Sequence, residues 1–459
     1  MGVGAALVLT VALLVGARGQ SAAQRYIAGL RAKGEKLSYA ELIRSRPRAS
    51  GLAQTVISNN APFLRSSSLE PAYLDYPDTR QPGRVTVLWR QPTPNPAATG
   101  GKPIPWAQFN EAIRQVQPHL REIREVLKRA SPEWEIRIMR AGGPAPNFVP
   151  IRQATQWLGA AAMSELQQGR LEEALQDLEA LAALANANRS SLSMGGEMIR
   201  VAVCGLGLSA TWQALQAPGW SDAQLERMQM AWASLDLLAA VEEGLVAWRA
   251  SAIEMWDTAR KSSGTQLRAF ISGRPLRGAP PARTWSTRAE ECRDYVVVQS
   301  YRLTNLDRDE VFCLQAMQES LETIRAVQRG QPSVFQSYTT NALVLKLDPA
   351  GRTKEFPHLL SSLLMANSTR VVQAAMRSET LRQMTLAAVA IRRYQTNHHA
   401  RPPNLEALFP EFLPQPTRDP MSGKALLYRP ETNGDWLLYS TGEDATDDGG
   451  DPTPKAGGK

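Results

Sequence analysis

The chain has 459 residues, of which 43% are hydrophobic and 21% are charged. This composition is typical of a folded protein and excludes wholesale disorder, and the length allows two or three domains. The formal net charge is +8, but Lys and Arg do not form a run with interleaved aromatic residues, so nucleic-acid binding is not predicted.

An uncharged apolar run covers residues 3–17, and Val15-Gly16-Ala17 ends it with small residues. The run is shorter than the roughly 20 residues of a membrane-spanning helix and matches a signal-peptide core. Residues 1–23 are therefore predicted to be a signal peptide or a membrane anchor. No basic residue precedes the run, and five follow it by residue 36. By the positive-inside rule, this arrangement would place the bulk of the protein in the cytoplasm. Export is favoured because of a C-terminal resemblance described below.

Residues 24–105 are predicted to hold a helix followed by a loop-rich region. Residues 24–42 follow one amphipathic helical pattern. Residues 47–101 are rich in Pro, Ser, Asn and Gly, which predicts extended loop with one strand at residues 84–90.

Helices are predicted to dominate residues 106–366. Gly169 should end the first helix of a helical hairpin, and Ser221 with Gln224 should begin another helix. Residues 272–283 read as a loop, and the recurring tryptophans between 212 and 256 should fill gaps between packed helices. The predicted helices cover residues 106–130, 151–168, 171–187, 194–215, 221–262, 308–329 and, with a break near Asn367, 356–394.

The three cysteines include no CxxC pair, so a zinc or redox motif is not predicted. Cys204 lies in an apolar helical pattern and should fill core space. Cys292 and Cys313 are a candidate disulfide pair in an exported chain, although the sequence does not fix the distance between their Cα atoms.

Residues 367–452 are predicted to form a small C-terminal α+β module, and residues 453–459 a disordered tail. The module starts with a long helix and continues with a short helical turn near residues 402–413. Strands at 425–429 and 435–439 should pair as an antiparallel hairpin. The predicted fold is therefore mainly α, with a multi-helix body and this small module.

The module resembles the globular domain of the major pseudopilin of type II secretion. The resemblance covers about 80 residues, and it implies an exported location and a calcium-binding loop. Unlike a pseudopilin, this chain carries the module internally, and its apolar N-terminal run lacks an early Glu. The matching residues are Leu405 and Leu408, Asp419-Pro420 with Gly423, Tyr428, Leu438-Tyr439-Ser440, Gly442, Asp444 and Gly449-Gly450.

The whole plan of N-terminal anchor, helical middle and pseudopilin-like tail resembles envelope-anchored bacterial proteins of planctomycete or verrucomicrobial type. That resemblance implies a cell-envelope location, either membrane-anchored or periplasmic, far more than it implies an activity.

A calcium site is predicted in the acidic loop near the C-terminus. Asp444, Asp447, Asp448 and Asp451 supply four carboxylates within eight residues, and calcium takes six to eight oxygen ligands. By the resemblance, Asp444 is the first candidate, and the other three are alternatives among themselves. The spacing does not fit an EF-hand. The alternative is an acidic, disordered tail.

A catalytic set is not evident, because the sequence has no HExxH, GxSxG, Walker-type or GxGxxG motif. The adjacent His398 and His399 would point about 100° apart on a helix and cannot chelate one metal as an i, i+4 pair would.

The predicted function is a non-enzymatic structural or interaction protein of the cell envelope, with a protein partner and membrane contact through the N-terminus.

Two alternatives remain. One is an exported enzyme with a pocket in the helical body. A pocket lined by carboxylates with shifted pKa values would favour this enzyme, whereas an exposed apolar groove would favour the interaction protein. The other is a cytoplasmic regulator, if the N-terminal run is core rather than an export signal.

Overall fold

The structure, a computed structural model, is mostly helical with one small two-stranded antiparallel sheet. It describes residues 22–44, 51–65, 87–94, 104–129, 147–187, 192–264, 266–267, 296–331, 333–341, 358–365, 368–431 and 435–451. Residues 1–21 of the predicted N-terminal anchor, the loop at 272–283, Cys292, Asn367 and the predicted tail lie outside these residues.

The α-helices are α1 (22–32), α2 (Tyr39–Arg44), α3 (Leu52–Arg65), α4 (Trp106–Leu127), α5 (Val149–Gln167), α6 (Leu171–Ala187), α7 (Met194–Leu215), α8 (Asp222–Ala233), α9 (Leu237–Lys261), α10 (296–304), α11 (Leu306–Gln328), α12 (Val334–Thr339), α13 (Leu359–Met365) and α14 (Ser368–His398). Short 3₁₀ helices cover Leu88–Arg90 and Glu406–Leu408. Strands β1 (Leu427–Pro430) and β2 (Trp436–Tyr439) pair antiparallel, with Leu427 opposite Tyr439.

The predicted helical hairpin and the predicted β-hairpin are both confirmed. Gly169 adopts φ +74° between α5 and α6, and the amide of Arg170 donates to the carbonyl of Glu165 at 2.9 Å, which closes the end of α5. Ser221 and Gln224 form the predicted capping box of α8. These elements were predictable because each depends on residues close together in the chain.

The single helix predicted for residues 24–42 is wrong. The structure has two helices, α1 and α2, because Gly34 turns the chain at φ +80° and the amide of Glu35 donates to the carbonyl of Leu30 at 3.2 Å. Left-handed backbone of this kind is easily adopted by glycine and ends a helix.

The extended loop predicted within residues 47–101 is also wrong where the structure describes it, since residues 52–65 form α3. The polar Asn60 suggested a loop, but it is buried and donates to Glu122 of α4 at 3.1 Å. The strand predicted at 84–90 is a 3₁₀ helix over its described part. Its Leu88 amide donates to Gln213 of α7 at 2.8 Å, so the segment docks on a helix instead of pairing with a strand.

The helix predicted for residues 221–262 is two helices, α8 and α9. Asp236 begins α9 by accepting a hydrogen bond from the amide of Ala239 at 3.0 Å, as expected of an aspartate at a helix start. The predicted break between α13 and α14 falls at residues 366–367, outside the described residues.

Helices α7 and α14 lie at the centre of the molecule. Helix α7 packs on α5, α6, α9 and α14, and α14 also packs on α8, α9 and α11. Among the described helices, α7 is long and apolar enough to cross a membrane, but 67% of its apolar window is buried inside the protein. That burial is the ordinary environment of a core helix, so the finding is weak evidence for a membrane span.

The described core has one large cluster and one small cluster. The large cluster includes Trp157 and Trp232, and the small one surrounds Trp256 with Tyr301 and Cys313. Trp220, Trp232 and Trp256 are buried as predicted, and Cys204 and Cys313 are buried free thiols. Trp212 and Trp248 are only partly buried.

Residues 399–451, here called the C-terminal segment, pack against the helical body formed by α1 to α14. Leu408, Phe412 and Leu426 belong to the same large core cluster as the body helices. Gln229 of α8 donates to the carbonyl of Phe412 at 2.6 Å. Helix α14, predicted to start the C-terminal module, is therefore equally a core helix of the body.

Candidate functional site

A cleft of about 950 Å³ opens between the helical body and the C-terminal segment. The start of α9 and the end of α11 build one wall, the middle of α14 lines it, and residues 413–420 build the opposite wall. This volume lies at the upper end of the range for ligand pockets. Charged, amide and apolar side chains are mixed in the lining, so the cleft is not the largely apolar groove that would mark a hydrophobic interface.

Two ion pairs in the cleft are satisfied within the protein. Glu379 pairs with Arg382 at 2.7 Å on α14, and Arg382 also donates to the carbonyl of Trp232 at 3.2 Å. Glu242 of α9 pairs with Arg325 of α11 at 2.6 Å. The charges of Glu242 and Glu379 are therefore already compensated on the body side of the cleft.

A different arrangement occupies the corner where α11 ends. Gly330 adopts φ +70°, and a Cβ there would lie 2.5 Å from Nη1 of Arg418. The Arg418 guanidinium donates to the carbonyl of Gly330 at 3.4 Å. The backbone conformation favours glycine here, and the contact with Arg418 brings the end of α11 beside residues 417–418.

The Asp419-Pro420 turn, which carries part of the predicted resemblance, is organised by the Asp419 carboxylate. Asp419 is 1% exposed. It accepts hydrogen bonds from the amides of Met421 and Thr441 at 3.0 and 3.3 Å. The hydroxyls of Ser422, Ser440 and Thr441 donate to it at 3.0, 2.9 and 3.3 Å. One carboxylate thus joins the turn to the end of β2.

The acidic loop folds back on the β-hairpin and on the body. Gly450, at φ +77°, lies so close to β2 that a Cβ would be 2.7 Å from Leu437. Glu443 pairs with Arg377 of α14 at 2.6 Å, and Gln336 of α12 donates to the carbonyl of Asp444 at 3.4 Å. The loop therefore has a defined conformation over the residues that the structure describes.

The predicted calcium ligands are exposed and turned toward their own backbone. Asp444, Asp447 and Asp448 each accept a hydrogen bond from the amide two residues later, at 3.1, 2.9 and 3.2 Å. Asp451 is also exposed. Over the described part of the chain, no three His, Cys, Asp or Glu side chains are grouped so as to hold a metal ion. The loop as arranged is not a formed calcium site, and calcium binding stays a prediction.

A buried ionic network in the body was missed by sequence reasoning. Glu35, between α1 and α2, pairs with Arg249 of α9 at 2.8 Å and accepts from Arg325 of α11 at 3.2 Å. Burial would raise the pKa of Glu35, but hydrogen bonds from Arg325 and Arg249 outweigh it and lower that pKa to about 2. The partners lie 214 and 290 residues away, so no local signal could have found them.

A second buried cluster brings together Asp309, His358 and Ser361, and it differs from a hydrolytic triad. Asp309 is fully buried and caps α13 by accepting from the amide of Leu360 at 2.9 Å. The Ser361 hydroxyl donates to Asp309, and His358 approaches the same carboxylate at 3.4 Å. Since the hydroxyl bonds to the acid rather than to the imidazole, His358 does not lie between them as a triad base would.

Among the residues that the structure describes, two carboxyl groups have strongly raised pKa values, and neither lies in the cleft. Burial raises the pKa of Asp177 to about 7 although Arg124 pairs with it at 2.5 Å. Burial likewise raises the pKa of Glu310 to about 7 beside Arg260. Both carboxyls lie outside the set of cleft-lining residues.

His398 and His399 end α14, and both are exposed. His398 stacks on Tyr394 with ring centroids 4.1 Å apart, while His399 leaves the helix at φ +52°. His399 therefore does not share the helix with His398, where both were expected.

No protein-family model, curated protein or solved structure matches this chain.

Proposed function

We propose that this protein is a non-enzymatic interaction protein of the cell envelope, and that the cleft between the helical body and the C-terminal segment receives a polypeptide partner. The observation that carries the proposal is the cleft itself, with about 950 Å³ of space and a mixed polar and apolar lining. The cleft is not the exposed apolar groove expected of an interaction protein, but interfaces between proteins that also exist apart are about as apolar as the rest of the surface. A mixed lining is therefore compatible with such a partner.

The distribution of perturbed carboxyls supports a binding role over a catalytic one. Catalytic acids and bases typically have shifted pKa values inside a cleft. Here the strongly raised pKa values belong to Asp177 and Glu310, and the cleft contains the internally paired Glu242 and Glu379 instead.

The envelope location is supported by the apolar run at residues 3–17 and by the pseudopilin-like order of turn, strand and acidic loop. The finer fold proposal, a pseudopilin-like C-terminal module, is supported by the β-hairpin and by the Asp419 turn that braces it. Calcium is included in the proposal at the acidic loop. Calcium binding there would require the exposed carboxylates of Asp447 and Asp448 to give up their hydrogen bonds from the amides of Gly449 and Gly450.

The test is a selection of peptides from a displayed random library on the full-length protein, followed by affinity measurements on two variants. Ala233→Trp places a large side chain at an exposed position that lines the cleft. Met230→Trp places the same side chain on α8 at a position 59% exposed and outside the cleft lining.

We expect Ala233→Trp to weaken the selected peptides at least about tenfold, a loss of roughly 1.4 kcal/mol, with Met230→Trp binding like the parent protein. Selected peptides that bind both variants as well as the parent would contradict the cleft as the binding site.

A further inference from the structure

The corner of the cleft at the end of α11 contains cationic groups that the protein itself does not neutralise. Arg329 ends α11 and is exposed, and Arg418 is exposed on the opposite wall. Neither makes an ion pair within the described residues, whereas Arg325 and Arg382 nearby are both paired. The Arg418 guanidinium contacts the backbone of Gly330, the residue after Arg329, and both arginines line the cleft.

The same corner contains a buried hydroxyl without a partner. Thr417 is 5% exposed, it lines the cleft, and its Oγ1 has no hydrogen-bond partner. A buried polar group left unpaired is costly, and native structures rarely keep one without a reason. A ligand that accepts a hydrogen bond from this hydroxyl removes that cost.

The wall beside these groups suits an extended chain. Pro414 and Pro416 restrict the backbone of the wall and lack amide hydrogens, so the wall is stiff. Gln331 and Gln415 line the cleft with exposed amides, which can both donate to and accept from the backbone of a bound peptide.

We propose that the cleft binds an extended segment of a partner polypeptide through an acidic side chain, whose carboxylate is held by Arg329, Arg418 and the Thr417 hydroxyl. Guanidinium groups bind carboxylates with charge-assisted, often two-pronged hydrogen bonds, and the hydroxyl supplies a further donor. This inference rests on the proposed function and names the chemistry of the partner.

The experiment measures fluorescence anisotropy of two labelled peptides with the full-length protein. One peptide alternates leucine and glutamate, and the matched peptide has glutamine in place of every glutamate. The variants are Arg329→Gln, Arg418→Gln and Thr417→Val. The control is Arg121→Gln, at an exposed position of α4 outside the cleft lining, and thermal unfolding checks that each variant is folded.

The glutamate peptide should bind the parent protein at least about tenfold more tightly than the glutamine peptide, and each arginine variant should lose about tenfold. Thr417→Val should lose several-fold, and Arg121→Gln should bind like the parent. Equal binding of the two peptides, or parent-like binding by both arginine variants, would overturn the inference.

Failure of this inference is distinguishable from failure of the proposed function. Library peptides that lose affinity in Ala233→Trp but not in Arg329→Gln or Arg418→Gln would retain the cleft as a binding site and overturn its acidic specificity. Peptides insensitive to Ala233→Trp would overturn both.

Discussion

The helical body and the C-terminal segment each bury a carboxylate, and they compensate it in different ways. Glu35 in the body is held by two guanidinium groups that lie 214 and 290 residues away in sequence. Asp419 is held by neutral amides and hydroxyls no more than 22 residues away. In this pair of examples, the carboxylate of the C-terminal segment is held within one local turn and hairpin, while the carboxylate of the body depends on partners that only the tertiary fold brings together.

The largest effect is expected at Asp419. Asp419→Ala would leave five donors around a buried space, and we expect a loss of about 4 kcal/mol in the free energy of unfolding. Asp448→Ala, an exposed acid in the nearby loop, should change that free energy by no more than about 0.5 kcal/mol. Denaturant unfolding measures both, and a loss below about 1 kcal/mol for Asp419→Ala would mean that the carboxylate does not hold the turn.

A slightly smaller effect is expected at Glu35. Glu35→Gln leaves the buried Arg249 without its carboxylate partner, which should cost about 3 kcal/mol at neutral pH. The folded-state pKa of Glu35 is lowered from 4.5 to about 2, so its contribution is fully present above pH about 4.5 and is lost as the pH falls toward 2.

The difference in unfolding free energy between the parent protein and Glu35→Gln should therefore shrink across that pH window. Glu111→Gln is the control, since Glu111 forms an exposed pair with Arg114, and it should have little effect at any pH. A difference that stays constant between pH 5 and pH 2, or grows, would refute the role given to Glu35.

Alanine substitutions at two glycines of α7 distinguish the effect of close packing from the effect of helix propensity. A Cβ at Gly207 would lie 2.5 Å from the buried ring of Trp232, whereas a Cβ at Gly205 would meet nothing within 4 Å. We expect Gly207→Ala to lower the free energy of unfolding, measured by denaturant unfolding, by about 2 kcal/mol through overpacking. Gly205→Ala should raise it by about 0.5 kcal/mol because alanine favours the helix. Similar effects from both variants would contradict close packing of α7 against α8.

A smaller effect than those at Asp419, Glu35 and Gly207 is expected from calcium at the acidic loop. Calcium at several times its Kd should stabilise the protein by about 1 kcal/mol, because a ligand of the folded state raises its stability. Asp444→Ala should abolish the gain, and excess chelator should reverse it. Melting curves with calcium and with chelator measure this, and an unchanged gain in the variant would remove Asp444 from the site.

The same contrast explains which parts of the structure could be predicted from sequence. The β-hairpin and the capping box of α8 depend on neighbouring residues, and these predictions are confirmed. The break at Gly34 was missed although glycine is a local signal for the end of a helix. Helix α3 was missed because the polar Asn60 finds its partner, Glu122, on another helix.

The cleft could not be predicted for the same reason. Its lining comes from four separated stretches, near residues 229–242, 327–331, 379–386 and 413–423. One weak signal was present in the sequence, because Glu379 and Arg382 are oppositely charged residues three positions apart, a spacing at which side chains meet on a helix.

The most direct test of the proposed binding site is amide hydrogen exchange of the full-length protein, alone and with a selected peptide. We predict slower exchange in the peptide complex at residues 328–331 and at the non-proline amides of 413–419, since these two stretches form the opposing sides of the cleft. Slower exchange confined to regions outside the cleft, with these two stretches unchanged, would contradict the account.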